Sequence, residues 1–289
     1  MNHGVIILAR LDSARLPGKA LADVGGRPVL SRLLQRLRVG AESIGRIVLA
    51  TTARPEDDPL AEWAAGESVQ VIRPDGPVDD VAGRFVAAAR IAGFQWAARV
   101  NGDSPLVDAT LLARALKRAR ATDAAPVDLV TNLRPRRHPY GMAVEWIRVD
   151  ALAELLPTFD AAERELVTAG LYATLPSGRI AGLDGGDPSW ADVRTVVDTA
   201  DDLERLRRFV SDHGVAWPRA TTGDIVAWIA QAEDVAMDSD DAADSDDAAD
   251  LEDAADAADA AESADPADGR TTTAATAGCS TDSSSRSDA

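Results

Sequence analysis

Apolar and polar positions along the first two thirds of the chain alternate between two rhythms. Gly4–Ala9 is a short apolar run rich in β-branched residues, and its pattern predicts a buried strand. From Arg27 to Val39 the apolar residues Val29, Leu30, Leu33, Leu34 and Leu37 fall at helical spacing. The sequence repeats this exchange. Strands are expected at Arg46–Thr52, Val69–Ile72, Ala97–Val100 and Asp128–Leu133. Helices are expected between them at Asp58–Ala65, Asp79–Ala92 and from an Asp108 cap to about Ala121. Strands alternating with helices at this spacing predict an α/β fold, a Rossmann-like, doubly wound and mostly parallel sheet.

The rhythm breaks after Leu133. Arg134–Gly141 is a basic, Pro-rich turn, and Met142–Val149 alternates like a strand, with an antiparallel direction as one option. Helices are expected at Asp150–Leu156 and Ala161–Leu175, a strand at Val193–Asp198, and helices at Asp201–Val210 and Thr222–Ala232. No internal repeat is visible. Residues 1–232 read as one domain, with 127–192 as an insertion for dimerisation or acceptor binding.

Charge separates the chain into two parts. The formal net charge is −18, but residues from Gln231 onward hold 18 acids and two arginines, leaving about −2 on the preceding 230. The segment 233–289, built of Asp-Ala-Ala and Ser-Asp steps and a Thr/Ala/Ser-rich end, has the composition of a disordered acidic tail. Without a broad basic field, duplex nucleic acid is not an expected partner. The single cysteine, Cys279, leaves no intrachain disulfide and no cysteine metal cluster. No apolar run reaches the roughly 20 residues of a membrane span. With no secretory pattern ahead of the first strand, a cytoplasmic protein without membrane contact is expected.

Candidate chemistry gathers in Leu8–Leu21, the loop between the first strand and the first helix. It carries Arg10, Arg15 and Lys19, with Pro17-Gly18 as a turn. Cations at the carboxyl end of a first strand suit an anion, because ligands of open α/β sheets bind in that crevice. Arginine is the default cation here, 28 against two lysines, so Lys19 stands out as a compact ammonium suited to a phosphate contact. Asp103 ends the fourth strand and Asp198 the late one. Two strand-end carboxylates beside loop cations can hold Mg²⁺, which takes one or two carboxylates plus phosphate oxygens. A competing reading makes Asp103 a turn residue and Asp198 a helix cap.

The run Ala9-Arg10-x-x-Ser13-x-Arg15-Leu16-Pro17-Gly18-Lys19-x-Leu21 resembles the nucleotide loop of the cytidylyltransferases that make CMP-activated acid sugars. The likeness is to the SpsF-type spore-coat-polysaccharide proteins and the acylneuraminate cytidylyltransferases. Four further segments resemble that superfamily in order: Ala50–Leu60, Asp80–Phe85, Asn101–Leu106 and Val196–Leu203. The resemblance implies a nucleotide-diphospho-sugar transferase (GT-A-like) fold. It also implies Mg²⁺-dependent transfer of CMP from CTP to an acidic, sialic-like sugar, with release of pyrophosphate, in surface polysaccharide synthesis, by a homodimer. Carried over by position, the nucleotide site comprises Leu8, Ala9, Arg10, Ser13, Arg15, Lys19, Thr51, Arg84 and Asp103. Lys19, Arg15 and Asp103 act in catalysis, and Asp103 and Asp198 hold metal. Tyr140, Glu145 and Arg164 meet the acceptor.

The likeness is uneven. Ala143 replaces an Asp and Leu166 a His of the acceptor motifs, and Asp12 and Ala14 replace the common Gly and Thr of the first loop. The nucleotide half is intact while the acceptor half departs. Two other readings therefore stand beside the first: a glycosyltransferase using a nucleotide sugar, and a catalytically weak nucleotide-binding homologue.

Overall fold

The fold is described from a computed structural model, for residues 2–121 and 127–240, with side chains up to residue 232. Apolar runs form the strands β1 (His3–Leu8), β2 (Arg46–Ala50), β3 (Gln70–Ile72), β4 (Trp96–Asn101), β5 (Leu129–Thr131), β6 (Glu145–Arg148) and β7 (Ile180–Gly182). Among the described residues they make one sheet in the order β3-β2-β1-β4-β6-β5-β7. All neighbours are parallel except β6, which runs antiparallel to both β4 and β5. The strand expected at Met142–Val149 is thus β6, shorter and reversed. The chain order turns at β1, between β2 and β4, so the carboxyl ends of β1 and β4 flank the switch point where such sheets bind ligands.

Helices cover both faces. They are α1 (Val29–Val39), α2 (Ala41–Ile44), α3 (Asp58–Gly66), α4 (Val81–Ile91), α5 (Ala109–Ala119), α6 (Val149–Leu155), α7 (Ala161–Leu166), α8 (Ala169–Thr174), α9 (Ala200–His213) and α10 (Thr222–Asp240). Strand alternation sorts the core. Val5 and Ile7 pack with Leu30, Leu34, Leu60 and Leu112 on the face of α1, α3 and α5. Ile6 and Leu8 pack with Phe85, Ala88, Leu152 and Leu171 on the face of α4, α6 and α8. This two-sided burial explains why β1 reads as a continuous apolar run rather than an alternating one. A third cluster, with Val29, Met142, Val197, Phe209, Trp217 and Ile225, ties α9 and α10 to α1 and to the segment before β6.

Several expectations are corrected. Val193–Asp198 is not a sheet strand. It is an extended segment with one isolated bridge, Arg194 to Tyr140, and a hydrogen bond from the Val197 N–H to the Asp103 carbonyl at 2.8 Å. The expected helix over Ala161–Leu175 is two, because Val167 adopts φ 61° between α7 and α8. The short strand β7 and helix α2 have too few residues for a periodic signal. The helix expected to end near Ala232 continues to Asp240. The remaining acidic tail, 241–289, lies outside the described residues. No helix among the described residues is long and apolar enough to cross a membrane.

Candidate active site

The loop after β1 turns back on itself. The Gly18 N–H donates to the Leu11 carbonyl at 2.8 Å, closing a turn over residues 11–18. Gly18 sits at φ 72°, a left-handed conformation that other residues adopt at a cost, and it leads directly into Lys19. The neighbouring β4 loop comes close enough that a Cβ on Gly102 would lie 2.8 Å from the Ala9 Cβ. Glycine there lets the two switch-point loops approach, and the Gly102 N–H donates to the Leu8 carbonyl at 2.8 Å.

Lys19 occupies the centre of the site. Its Nζ lies 2.9 Å from Asp103 Oδ2 and 2.5 Å from Asp198 Oδ1. Arg15 Nη2 donates to Asp198 Oδ2 at 3.0 Å, and Arg194 Nη2 stands 3.6 Å from the same oxygen. Burial alone would lower the Lys19 pKa, but the Asp103 and Asp198 carboxylates outweigh it and hold the ammonium above its ordinary range. The structure therefore joins Arg15, Lys19, Asp103 and Asp198 into one ion cluster from three distant parts of the chain. The bond from Val197 to the Asp103 backbone sets the two carboxylates side by side.

Asp198 is not the cap of the helix behind it. Thr199 is the N-cap of α9 and forms a capping box with Asp202. The Asp198 carboxylate is thereby released to face the cluster. Asp103 is a turn residue, as its Ser104 hydroxyl contact shows, yet its second oxygen points at Lys19.

Arg10 belongs to an adjacent cluster. Its Nε lies 3.2 Å from Asp12 Oδ1 and its Nη1 3.1 Å from Asp79 Oδ1. Burial would raise the Asp12 pKa, but Arg54 and Arg10 pull it below the usual carboxylate value. Leu8 is buried and Ala9 and Ser13 are half-buried on the same loop. Thr51 is fully buried, so its side chain does not line the crevice. Arg84 is also buried and spends its guanidinium on the backbone carbonyls of Pro77 and Val78, fixing the loop ahead of α4.

The three residues expected at the acceptor are not brought together. Glu145 is sealed inside the sheet at 0% exposure, where Arg99 Nε and Nη2 approach Oε2 at 2.8 and 2.7 Å. The Tyr172 hydroxyl donates to Glu145 Oε1 at 2.9 Å. The Glu145 carboxylate is thus fully engaged by the protein, on the sheet face it shares with its cross-strand partners Arg99 and Thr131. Arg164 instead reaches Asp80 Oδ2 at 3.0 Å and the Leu156 carbonyl at 2.8 Å. Tyr140 stays half-buried at the rim, with the guanidinium of Arg194 4.8 Å and that of Arg136 5.5 Å from its ring centroid.

Sequence reasoning missed Arg194 and Tyr172. Arg194 was detectable only as a cation four residues before Asp198, and nothing in the spacing of Tyr172 pointed to Glu145.

The sheet order and the cationic loop at its switch point define an α/β protein whose crevice suits an anionic ligand. Residues 4–150 match the cytidylyltransferase family, just over half of the chain, and the chain belongs to that family. It is 38% identical over 117 residues to the 3-deoxy-manno-octulosonate cytidylyltransferase of Herminiimonas arsenicoxydans, covering 39% of this chain and 44% of that protein. The match thus spans less than half the length of that relative. Over 239 residues it is 25% identical to the spore coat polysaccharide biosynthesis protein SpsF of Bacillus subtilis, covering 81% of this chain and 96% of SpsF. Among solved structures, a cytidylyltransferase from Leptospira borgpetersenii superposes with a TM-score of 0.72 at 24% identity, covering 81% of this chain and 96% of that one. That likeness concerns the fold. The family match includes the first loop and Asp103, whereas Arg164 and Asp198 lie beyond it.

Proposed function

We propose that the protein transfers CMP from CTP to an acidic sugar and releases pyrophosphate, for surface polysaccharide or glycan synthesis. The observation that carries this reading is the Lys19 ammonium between Asp103 and Asp198, with Arg15 beside them, on the loop of a family of cytidylyltransferases. Relatives named for a 3-deoxy sugar acid and for spore-coat polysaccharide support the substrate class.

The donor chemistry suits a divalent cation: two carboxylates from separate segments converge on one point and offer oxygen ligands. Asp103 and Asp198 would hold Mg²⁺, and the ion supplies charge neutralisation for phosphate oxygens. The chain's own groups do the remainder. Arg15 and Lys19 draw the β- and γ-phosphates into the crevice. The acceptor hydroxyl oxygen bonds to the α-phosphorus and its proton is released. The bond from that phosphorus to the bridging oxygen breaks, and the electron pair leaves with pyrophosphate. Cations held near that oxygen stabilise charge as it develops, which is where electrostatic catalysis acts. Positioning supplies most of the remaining acceleration.

The acceptor side rests on Tyr140 and the guanidiniums about it, since Glu145 and Arg164 are engaged elsewhere. The homodimer, through residues 127–192, and a cytoplasmic location belong to the same proposal. Incubation with each nucleoside triphosphate, Mg²⁺ and a panel of acidic sugars tests it by release of pyrophosphate. Release that requires both CTP and an acidic sugar supports the reading. Transfer of sugar from a nucleotide sugar, without pyrophosphate, would replace it with a glycosyltransferase.

A further inference from the structure

Asp57 stands at the N-cap position of α3, where an Asp normally accepts a hydrogen bond from its own helix. Here its side chain makes no such bond. The carboxylate is 0% exposed and reaches away from the helix. Its Oδ1 accepts from the backbone N–H of Leu11 at 2.8 Å, 46 residues earlier in the chain. Its Oδ2 accepts from the Thr52 hydroxyl and, at 3.3 Å, from Arg54 Nη2. Arg54 Nη2 also lies 2.8 Å from Asp12 Oδ2, so the same guanidinium ties Asp57 to the residue after Leu11.

Leu11 is the base of the cationic loop. It gives its N–H to Asp57 and takes the Gly18 N–H on its carbonyl. Its side chain packs against the core on the α1 face. A buried carboxylate on one side and the loop's closing bond on the other therefore fix the same peptide. From that closure Gly18 passes directly to Lys19, and Arg15 lies inside it. The structure assigns Asp57 as a positioning residue: its buried carboxylate anchors the Leu11 backbone, and through it the turn that presents Arg15 and Lys19.

A buried carboxylate is costly to desolvate unless its lone pairs are filled, and this one fills them by reaching into the loop rather than the helix. That choice is unneeded for starting α3, which already has Pro59 in its first turn. The Arg10 cluster is also tied to Asp57 here, because Asp12 is shared between Arg10 and Arg54. Asp12 stands where Gly is common in the resembling loops, and the Arg54 bridge gives that replacement a partner.

The assignment rests on the cytidylyltransferase reading only where nucleotide is the probe. The test uses the full chain, with Asp57→Ala, Asp57→Asn and, as a control on an exposed neighbour, Asp58→Ala. Amide hydrogen exchange is followed by mass spectrometry, and affinities for CTP and CMP are measured in parallel. In the unaltered protein the Leu11 amide should exchange at least about tenfold more slowly than the amides of Asp12 to Ala14, as a bond to a charged acceptor implies. Asp57→Ala should speed exchange across residues 11–21 by about tenfold or more, leaving β1 and α3 as they were. It should narrow the preference for CTP over CMP by a similar factor, because only CTP carries the phosphates that Arg15 and Lys19 meet. Asp57→Asn keeps an oxygen for Leu11 and should retain most of the protection. Asp58→Ala should change neither.

Faster exchange spread evenly through β2 and α3, or equal loss of CTP and CMP affinity, would overturn the assignment in favour of a general stability role. If Asp57→Ala does not fold, a rapidly exchanging Leu11 amide in the unaltered protein overturns it. Should neither nucleotide bind the unaltered protein, the functional reading fails while the exchange result still decides on Asp57.

Discussion

Lys19 Nζ lies 2.9 Å from Asp103 Oδ2, although the two residues belong to loops on different strands and are 84 positions apart. The Lys19 side chain is only 11% exposed, and its ammonium also touches Asp198. A cation so placed neutralises two carboxylates at the point where the proposed reaction needs phosphate oxygens to arrive. One residue thus links the folded loop to the proposed chemistry.

Lys19 and a divalent cation would contend for the same two carboxylates. Replacing Lys19 with Met should therefore raise the affinity of the nucleotide-free protein for Mn²⁺, by several-fold or more, since removing one positive charge at this distance is worth on the order of a kcal/mol at a partly exposed site. Electron paramagnetic resonance of unbound Mn²⁺ measures this directly. Unchanged or weaker Mn²⁺ binding would show that Asp103 and Asp198 are not the metal ligands.

Asp103→Asn should preserve the fold. The backbone carbonyl of Asp103, not its side chain, accepts the Val197 N–H, and the substitution is nearly isosteric. Turnover should fall by orders of magnitude, and excess Mg²⁺ should recover only part of it. A variant that keeps its specific activity but melts earlier would make Asp103 a turn residue alone.

Glu145 should matter for stability before it matters for the acceptor. Removing one partner of a buried ion pair costs about 3–5 kcal/mol, and Glu145→Ala leaves Arg99 and the Tyr172 hydroxyl without their carboxylate. Chemical denaturation should show that loss. A normal unfolding midpoint with a raised KM for the sugar would return Glu145 to the acceptor site.

Tyr172 gives a pH-dependent counterpart. Burial, and then the Glu145 carboxylate, push its pKa well above 10. An acid whose folded pKa is raised holds its proton in the native state while the unfolded chain releases it. The stability it contributes is present below about pH 10, the ordinary tyrosine value, and is lost as pH rises towards the folded pKa. The chain has two tyrosines. Tyrosinate absorbance should therefore contain a late step that coincides with alkaline unfolding and disappears in Tyr172→Phe.

Much of this arrangement was legible in the chain. The parallel part was readable because its central strand β1 is buried on both faces and α1 carries a clear stripe of Leu30, Leu33, Leu34 and Leu37. The later part was less so. Val193–Asp198 has the β-branched composition of a strand, but the Asp103 carbonyl and Tyr140 satisfy its backbone instead of a sheet neighbour. The loop cations and both carboxylates could be named from their places at expected strand ends, although the segment before Asp198 joins no sheet. Their mutual pairing could not, because it depends on contacts across 84 and 179 positions. Glu145 was misplaced for a similar reason: its burial depends on Arg99 of β4 and Tyr172 of α8, 46 and 27 positions away.

The cation loop's proposed task is to stabilise the departing pyrophosphate, and Lys19→Ala tests it. Steady-state turnover with CTP and CMP affinity by calorimetry are measured on the same variant. Losing one charge-assisted contact that forms in the transition state should slow kcat by about 10²- to 10³-fold. CMP, which has no β- or γ-phosphate, should bind almost as before. Unchanged turnover, with CMP and CTP binding weakened equally, would contradict the assignment of Lys19 to the leaving pyrophosphate.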